Sequence, residues 1–389
     1  MKIGKNIAAF LLVVAMSGGY CLAQSPAKVV EDFKPSSVNQ PGKEFPQVNS
    51  EGRVRVQISA PEAHKVQLDI SAVKYDLVKD EKGVWTGESA PQDEGFHYYQ
   101  LWVDGAAVPD PGSLYFFGAS RWGSGIEIPA KDQDFYAVKN VPHGQVIELP
   151  YFSTTNNAMR RCFIYTPPGY DKDTNKRYPV LYLQHGGGEN ETGWSSQGHA
   201  NLIMDNLIAE GKAKSFIIVM DNGTWAMTGP RPADRSAGTW PPKGWANGFM
   251  KTLLEDIIPM IDANYRTIAD QEHRAMAGLS MGGMQTRVIT LAHPEVFSHV
   301  GIFSGGSITM DDLANAPAFK EKNKLVFVSY GSRELENPRA GFGGNPKENQ
   351  DKLKEAGLNT HFYVSPQTAH EWQSWRRSLY QFAPLLFTK

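Results

Sequence analysis

Apolar and polar residues alternate in short runs over the first third of the chain. Runs such as RVRVQIS and KVQLDIS, between Arg53 and about Pro129, are separated by turn sequences such as DEKG, APQDEG and VDGAAVPDPG. A period of two is typical of strands that bury one face, and turns at this spacing favour two packed antiparallel sheets. The pattern predicts a small immunoglobulin-like β-sandwich, which we assign to residues 24–140. The segment before Ser50 is expected to lie extended over a surface.

The pattern changes after about Leu149, where compact apolar runs replace the alternation. They include YPVLYLQHGGG, SFIIVMDNG, HRAMAGLS, HVGIFSGG and KLVFVSYGS. Such runs are typical of strands that are buried on both faces of a mainly parallel sheet. Apolar residues recur at helical spacing between them, as from Phe249 to Ile261 and from Trp372 to Phe382. Strands that alternate with helices predict a three-layer α/β domain, which we assign to residues 141–389.

The composition excludes some classes of partner and cofactor. The 389 residues allow two domains, and a formal net charge of -2 offers no basic surface for nucleic acid or an anionic membrane. We expect neither partner. No residues have the spacing of a zinc site, and the sequence GFGGNP lacks the lysine of a phosphate-binding loop. We therefore expect neither a metal nor another cofactor.

The N-terminus has the pattern of an export signal. Lys2 and Lys5 precede an apolar run from Ile7 to Met16, and small residues follow at a cleavage point after Ala23. The run is shorter than the ~20 residues that a membrane-spanning helix needs. We predict a signal peptide over residues 1–23 and a secreted or periplasmic mature protein without a membrane span.

The stretch AGLSMGG, residues 277–283, predicts a nucleophile. A strand is expected to end before Ser280 and a helix to begin at Met281, so the serine lies on a sharp turn. Side chains at Gly278 and Gly282 would collide with neighbouring backbone at such a turn. The hydroxyl is then exposed at a helix N-terminus, where free N–H groups favour a developing negative charge.

A serine nucleophile needs a base, and His370 is our candidate. It lies in the loop SPQTAHEW, after the last predicted strand and before the last helix. Loops at the carboxyl edge of a parallel sheet converge on the nucleophile. In this type of site the chain order is serine, acid, histidine, which His370 satisfies.

The acid is chosen by position among several carboxylates. Glu334 follows the strand LVFVSYGSR, directly after the nucleophile unit, and is our first choice. Glu336 shares its loop. Asp311 and Asp312 follow the preceding strand and would serve in a rarer arrangement.

Two backbone N–H groups are expected to stabilise the oxyanion. The first belongs to Met281, directly after the nucleophile. The second is expected in QHGGGEN, residues 184–190, where the N–H of Gly187 is the best candidate. Side chains are excluded there because the substrate oxygen must come within about 3 Å of the backbone.

Tryptophans supply candidate substrate contacts. Trp225, Trp240 and Trp245 lie in a long loop between a strand and a helix, and loops of this length are typical of functional sites. Together with Trp372 they offer flat apolar surfaces for an aromatic acyl group or a sugar ring. Trp375 is expected to belong to the core.

Several motifs carry a family resemblance. The stretches YTPPGYD, HGGGENETGW, IIVMDNG, DIIPMIDANYR, AGLSMGG and HEWQSWR together resemble the esterase D-like branch of α/β-hydrolases, especially bacterial feruloyl esterases of the first carbohydrate-esterase family. The similarity covers roughly residues 145–389. The stretches DEKGVWTG, YYQLWVDG and VPDP resemble an immunoglobulin-like early-set domain that is related to glycogen-binding modules.

The resemblance implies a function. It implies hydrolysis of esters between hydroxycinnamic acids such as ferulate and plant cell-wall sugars, with acetyl xylan and siderophore esters as alternatives. The alternative hypothesis from a different functional class is a carbohydrate-binding protein that does not hydrolyse esters. The complete set of Ser280, His370 and a carboxylate disfavours it. The acid of the family is commonly an aspartate in Gly-x-x-Asp. Here Gly331 is followed at that spacing by Glu334, which leaves Glu336 a competitor. For the sandwich we expect a docking or stabilising role.

Overall fold

The structure is a computed structural model that describes residues 29–224, 244–336 and 344–388. The predicted signal peptide, residues 1–23, lies outside the described residues, as do Trp225 and Trp240. None of the helices in the described ranges is long and apolar enough to cross a membrane.

Two antiparallel sheets form the N-terminal part. Their strands are β1 (Lys34–Pro35), β2 (Gln47–Val48), β3 (Val54–Ser59), β4 (Val66–Ile70), β5 (Val73–Asp76), β6 (Val78–Lys79), β7 (Val84–Glu88), β8 (Gly95–Val103), β9 (Ala106–Val108), β10 (Tyr115–Gly118) and β11 (Arg121–Ile128). The first sheet has the order β1-β2-β3-β7-β6 and the second β10-β11-β8-β4-β5, with β9 paired to β8. Alternate apolar side chains of both sheets share one core. The predicted sandwich is confirmed, but the segment before it is not merely extended, because β2 pairs with β3.

An eight-stranded sheet follows. Its strands are β12 (Gln145–Ser153), β13 (Ala158–Thr166), β14 (Val180–Gln184), β15 (Ile217–Asp221), β16 (Arg274–Leu279), β17 (His299–Phe303), β18 (Leu325–Gly331) and β19 (Thr360–Ser365), in the order β12-β13-β15-β14-β16-β17-β18-β19. The strands from β15 to β19 in that order are parallel, whereas β12 and β13 are antiparallel to their neighbours.

Helices cover both faces of this sheet. They are α1 (Ala200–Ala209), α2 (Asn247–Thr252), α3 (Ile258–Asn264), α4 (Met281–Ala292), α5 (Met310–Asn315), α6 (Pro317–Lys322), α7 (Ser332–Leu335), α8 (Pro346–Glu355) and α9 (Trp372–Phe382). Along β14, Leu181 and Leu183 enter one core while Val180 and Tyr182 enter another on the opposite face. The predicted three-layer α/β architecture is therefore confirmed.

The helix predicted from Phe249 to Ile261 has a widened middle. A π-helical turn, Leu253–Ile257, joins α2 to α3. Pro259 is the second residue after this turn, and its ring nitrogen has no hydrogen to donate to the preceding turn. The apolar spacing predicted the helix, whereas the local change in winding depends on the missing donor.

The sandwich and the α/β part share buried contacts. Phe96 and Phe116 of the sandwich belong to the same apolar cluster as Phe303 and Leu379 of the α/β part. Arg376 in α9 is fully buried. Its Nη1 and Nη2 donate to the two oxygens of Glu127 in β11, at 2.6 and 3.0 Å. Burial opposes ionisation of Glu127, but the Arg376 guanidinium outweighs it and lowers the pKa of that carboxyl.

Replacing Arg376 with alanine should destabilise the protein by about 3–5 kcal/mol, because the substitution leaves the Glu127 carboxylate buried without its cation. Denaturant unfolding of the full chain measures the change. Lys324→Ala is the control, since Lys324 forms an exposed 3.0 Å pair with Glu272; it should cost below about 1 kcal/mol. Equal effects of the two substitutions would contradict this account of the buried pair.

Candidate active site

Ser280 lies on the sharp turn between β16 and α4. Its backbone has φ 49° and ψ −112°, a left-handed φ that is uncommon for a residue with a side chain. A Cβ added to Gly278 would lie 2.5 Å from the carbonyl carbon of Gly282, and one added to Gly282 would lie 2.6 Å from the oxygen of His185. These contacts confirm the predicted steric need for both glycines, which allow the turn to close tightly around the serine.

His370 contacts the serine directly. Its Nε2 lies 2.9 Å from the Oγ of Ser280, and its Nδ1 lies 2.7 Å from the Oε1 of Glu334. An ionised carboxylate can only accept a hydrogen bond, so the neutral ring carries its proton on Nδ1. The Nε2 lone pair then faces the serine hydroxyl, which is the geometry that proton transfer from the hydroxyl requires.

The Glu334 side chain is held from two directions. Its Oε2 accepts the N–H of Gly331 at 2.7 Å and the hydroxyl of Ser304 at 2.8 Å. Its side chain is 8% exposed, against 48% for that of His370. The two donors occupy one oxygen and leave the other for His370. Glu336, the other candidate in this segment, is exposed.

Ser304 and Trp375 were not predicted as parts of this site. Trp375 is buried, as expected, but its Nε1 donates to the Oγ of Ser304 at 3.1 Å. Its ring also packs edge-on against that of His370, with 5.1 Å between centroids. One signal was available for Ser304, since it directly follows β17, the neighbour of β16, just as Ser280 directly follows β16.

Gly331 lets the acid and histidine loops meet. A Cβ on this residue would lie 2.4 Å from the carbonyl oxygen of Thr368 and 2.6 Å from that of Ala369. A backbone hydrogen bond also joins the two segments, because the N–H of Arg333 in α7 donates to the Thr368 oxygen at 3.0 Å. Close backbone approach thus brings His370 within reach of Glu334.

The glycine loop after β14 lies beside the start of α4. A Cβ added to Gly187 would lie 4.0 Å from the Cβ of Met281. The N–H of Met281 belongs to the first turn of α4, where the helix itself offers no acceptor. The loop is also held from the sandwich, because the N–H of Ser120 donates to the oxygen of Gly188 at 2.8 Å.

Glu189 is a buried carboxylate within this loop. Its Oε2 accepts the N–H of Gly186 at 3.2 Å, and its Oε1 accepts the hydroxyl of Tyr98, from β8 of the sandwich, at 3.1 Å. Burial raises the pKa of Glu189 to about 7, although both hydrogen bonds favour the ionised form. No sequence signal indicated Tyr98, because the residue lies in the other half of the fold.

Removing this carboxylate should change how stability depends on pH. The unfolded chain releases the Glu189 proton near pH 4.5, and the folded chain releases it near pH 7. The contribution of this group to the free energy of unfolding therefore falls as pH rises between those values. The free energy of unfolding of Glu189→Gln, taken relative to the parent, should rise by about 3 kcal/mol from pH 4 to pH 8. The reason is that a tenfold change in proton affinity corresponds to about 1.4 kcal/mol. Denaturant unfolding at several pH values measures this gain. The exposed Glu81→Gln variant should show no such trend, and a flat difference for Glu189→Gln would contradict the prediction.

The tryptophans differ from the prediction. The expectation that Trp372 offers an open flat face is wrong, since the residue is 2% exposed. Its ring packs edge-on against Trp194 and Trp375, and its Nε1 donates to the Tyr98 hydroxyl at 3.1 Å. Its position in the first turn of α9 gave no sign that a tyrosine of the sandwich would cover it. Trp245 is partly buried just before α2.

No metal site emerges from the described ranges. Within residues 29–224, 244–336 and 344–388, no group of three or more His, Cys, Asp or Glu side chains is placed to hold a metal ion. Both ring nitrogens of His185 instead form hydrogen bonds with backbone groups. Nδ1 lies 2.7 Å from the Gly186 oxygen, and Nε2 accepts the N–H of Gly223 at 3.0 Å.

Comparison with known proteins assigns the family. The family model named Esterase matches residues 153–386. The chain belongs to the esterase family. This membership confirms the resemblance to esterases that the motifs indicated.

A curated relative matches over most of this chain. The chain is 46% identical to an endo-1,4-beta-xylanase/feruloyl esterase of Xylanibacter ruminicola over 373 residues, which is 94% of this chain and 49% of the relative. The chain thus spans about half the length of that protein.

Solved structures share the fold. A ferulic acid esterase from Anaeromyces mucronatus in complex with ferulic acid has a TM-score of 0.54 at 23% identity, covering 66% of this chain and 96% of that one. The enterobactin esterase of Shigella flexneri has a TM-score of 0.61 at 16% identity, covering 86% of this chain and 92% of that one. The second match extends well beyond residues 153–386 and so includes strands of the sandwich. At these identities the likeness shows the fold alone.

Proposed function

We propose that this esterase hydrolyses hydroxycinnamoyl esters, such as feruloyl esters, on plant cell-wall polysaccharide or oligosaccharide. The observation that carries the proposal is the hydrogen-bonded series from Ser280 through His370 to Glu334, at a strained strand-to-helix turn. The 46% identity to a protein named as a xylanase and feruloyl esterase supports the substrate class.

The chemistry follows from the placement of donors and acceptors. Ser280 attacks the ester carbonyl while His370 takes its proton on Nε2, and Glu334 stabilises the resulting imidazolium. The N–H groups of Met281 and Gly187 donate hydrogen bonds to the carbonyl oxygen and stabilise the negative charge that develops on it. His370 then gives the proton to the leaving alcohol oxygen, which leaves an acyl group on Ser280. Water, activated by the same ring, attacks this acyl-enzyme and releases the acid.

A comparison of three substrates tests the acyl specificity. We expect a higher kcat/KM for methyl ferulate than for acetylated xylan or for a catechol siderophore ester. Turnover of acetylated xylan alone would reject the feruloyl assignment while leaving the serine mechanism in place. Preference for the siderophore ester would support the other alternative. Sugar binding without hydrolysis of any ester would favour a carbohydrate-binding protein.

We also propose that the mature protein acts outside the cytoplasm, in the periplasm or beyond the cell. The predicted signal at residues 1–23 supports this location, and a cell-wall substrate is consistent with it. N-terminal sequencing of the protein from its native cells should begin after Ala23. A mature chain that begins at Met1 would reject cleavage of the signal.

A further inference from the structure

A cavity of about 410 Å³ lies between the sandwich and the α/β part, beside His370. Its α/β wall includes His370, Glu371, Trp372 and Trp375. Its opposite wall belongs to the second sheet of the sandwich. The volume is within the usual range of small-molecule sites, roughly 300–1,000 Å³.

The sandwich wall carries polar side chains on the face that points away from its own core. In β4 and β8, Leu68 and Leu101 enter the sandwich core, while their neighbours Asp69 and Gln100 line the cavity. Asp69 and Gln100 lie opposite each other in the register of the two strands. Arg121, the first residue of β11, completes this polar group.

Space for the amide is provided by a glycine. A Cβ added to Gly123 would lie 2.0 Å from the Nε2 of Gln100, so a side chain there would displace the amide. The carboxylate has a fixed position, because Oδ2 of Asp69 accepts the Trp102 Nε1–H at 2.9 Å. Arg121 is exposed and forms no ion pair within the described parts of the chain.

We propose that this cavity binds the alcohol part of the ester, a sugar, through the side chains of Asp69, Gln100 and Arg121. The inference rests on the proposed function and extends it to the sandwich. His370 must deliver a proton to the leaving alcohol oxygen, so the alcohol extends from the His370 side of the reacting carbon. His370 is one of the residues that line the cavity.

The polar group suits sugar hydroxyls. A carboxylate only accepts hydrogen bonds, a guanidinium only donates them, and an amide does both. A hydroxyl can meet each of them, and neighbouring sugar hydroxyls can bridge two. The carbon face of a hydroxycinnamoyl ring would offer Gln100 and Arg121 fewer hydrogen-bond partners than a sugar does, at a desolvation cost. The sandwich thereby contributes to substrate selectivity as well as to stability.

Selectivity between two feruloyl esters tests the proposal. The substrates are methyl ferulate, whose alcohol is methanol, and a xylotriose that carries a feruloylated arabinose. Arg121→Ala should lower the ratio of kcat/KM for the oligosaccharide to that for methyl ferulate by about tenfold. Gln100→Ala should lower it in the same direction. Lys65→Ala, which removes an exposed cation from the sandwich outside the cavity, should leave the ratio unchanged.

Inhibition by the alcohol product gives a second measurement. The oligosaccharide without its feruloyl group should compete with methyl ferulate, and Arg121→Ala should raise its inhibition constant about tenfold. An unchanged ratio together with an unchanged inhibition constant in Arg121→Ala and Gln100→Ala would overturn the sugar subsite while leaving the proposed function intact. Absence of parent activity on both esters would instead reject the proposed function, and this subsite with it.

Discussion

Ser280→Ala should lower kcat for methyl ferulate by a factor on the order of 10⁶, because the variant has no oxygen that His370 can activate and no atom that can carry the acyl group. The residual rate would come from the remaining backbone N–H donors and from substrate binding. Steady-state kinetics with a purified variant measures the loss. The fold should be preserved, since alanine keeps the Cβ that the turn already accommodates.

A covalent label distinguishes this loss from misfolding. An organophosphorus fluoride should add one adduct to the parent, located by peptide mass spectrometry at Ser280, and none to the alanine variant. Both proteins should unfold at closely similar temperatures. Retention of more than a hundredth of the parent kcat by a pure variant would mean that another group is the nucleophile.

Glu334→Gln should lower kcat by about 10⁴, although the side chain keeps its size. The Gly331 N–H and the Ser304 hydroxyl both donate to the position of Oε2, so the amide must place its oxygen there. Its NH₂ group then faces Nδ1 of His370. The ring must accept at Nδ1 and carry its proton on Nε2, which prevents it from taking the proton of Ser280. The kcat for methyl ferulate measures the effect.

Glu336→Gln is the matched control for this prediction. It makes the same chemical change two residues away, on an exposed side chain. Its kcat should remain within about twofold of the parent, as is usual for surface substitutions without a specific partner. A large loss in Glu336→Gln with little change in Glu334→Gln would transfer the role of the acid to Glu336.

The parts of the site that depend on local pattern could be predicted from the sequence. Ser280 was placed on a turn by the glycines around it, and His370 by its position between the last strand and the last helix. Position favoured Glu334 as the acid but did not exclude Glu336, because both carboxylates follow the same strand. The structure separates them through one backbone N–H and the hydroxyl of Ser304, which lies 30 residues away.

The contacts between the two parts of the chain could not be predicted. Alternation in β8 indicated that one face is buried in the sandwich, but a period of two does not say what covers the other face. That face places Tyr98 against Glu189 and Trp372, and Gln100 in the cavity. For the same reason the predicted exposure of Trp372 was wrong.

Two contacts determine how the gene can be divided. They are the core that Phe96 and Phe116 share with the α/β part and the buried pair of Arg376 and Glu127. A fragment cut near residue 141 would expose the apolar surface that Phe96 and Phe116 cover in the full chain. It would also contain Arg376 without the carboxylate of Glu127. Such a fragment would aggregate on expression. We therefore expect expression of only the segment that the family model matches to give an aggregated product, so the two parts of the chain have to be cloned, shuffled and transplanted together.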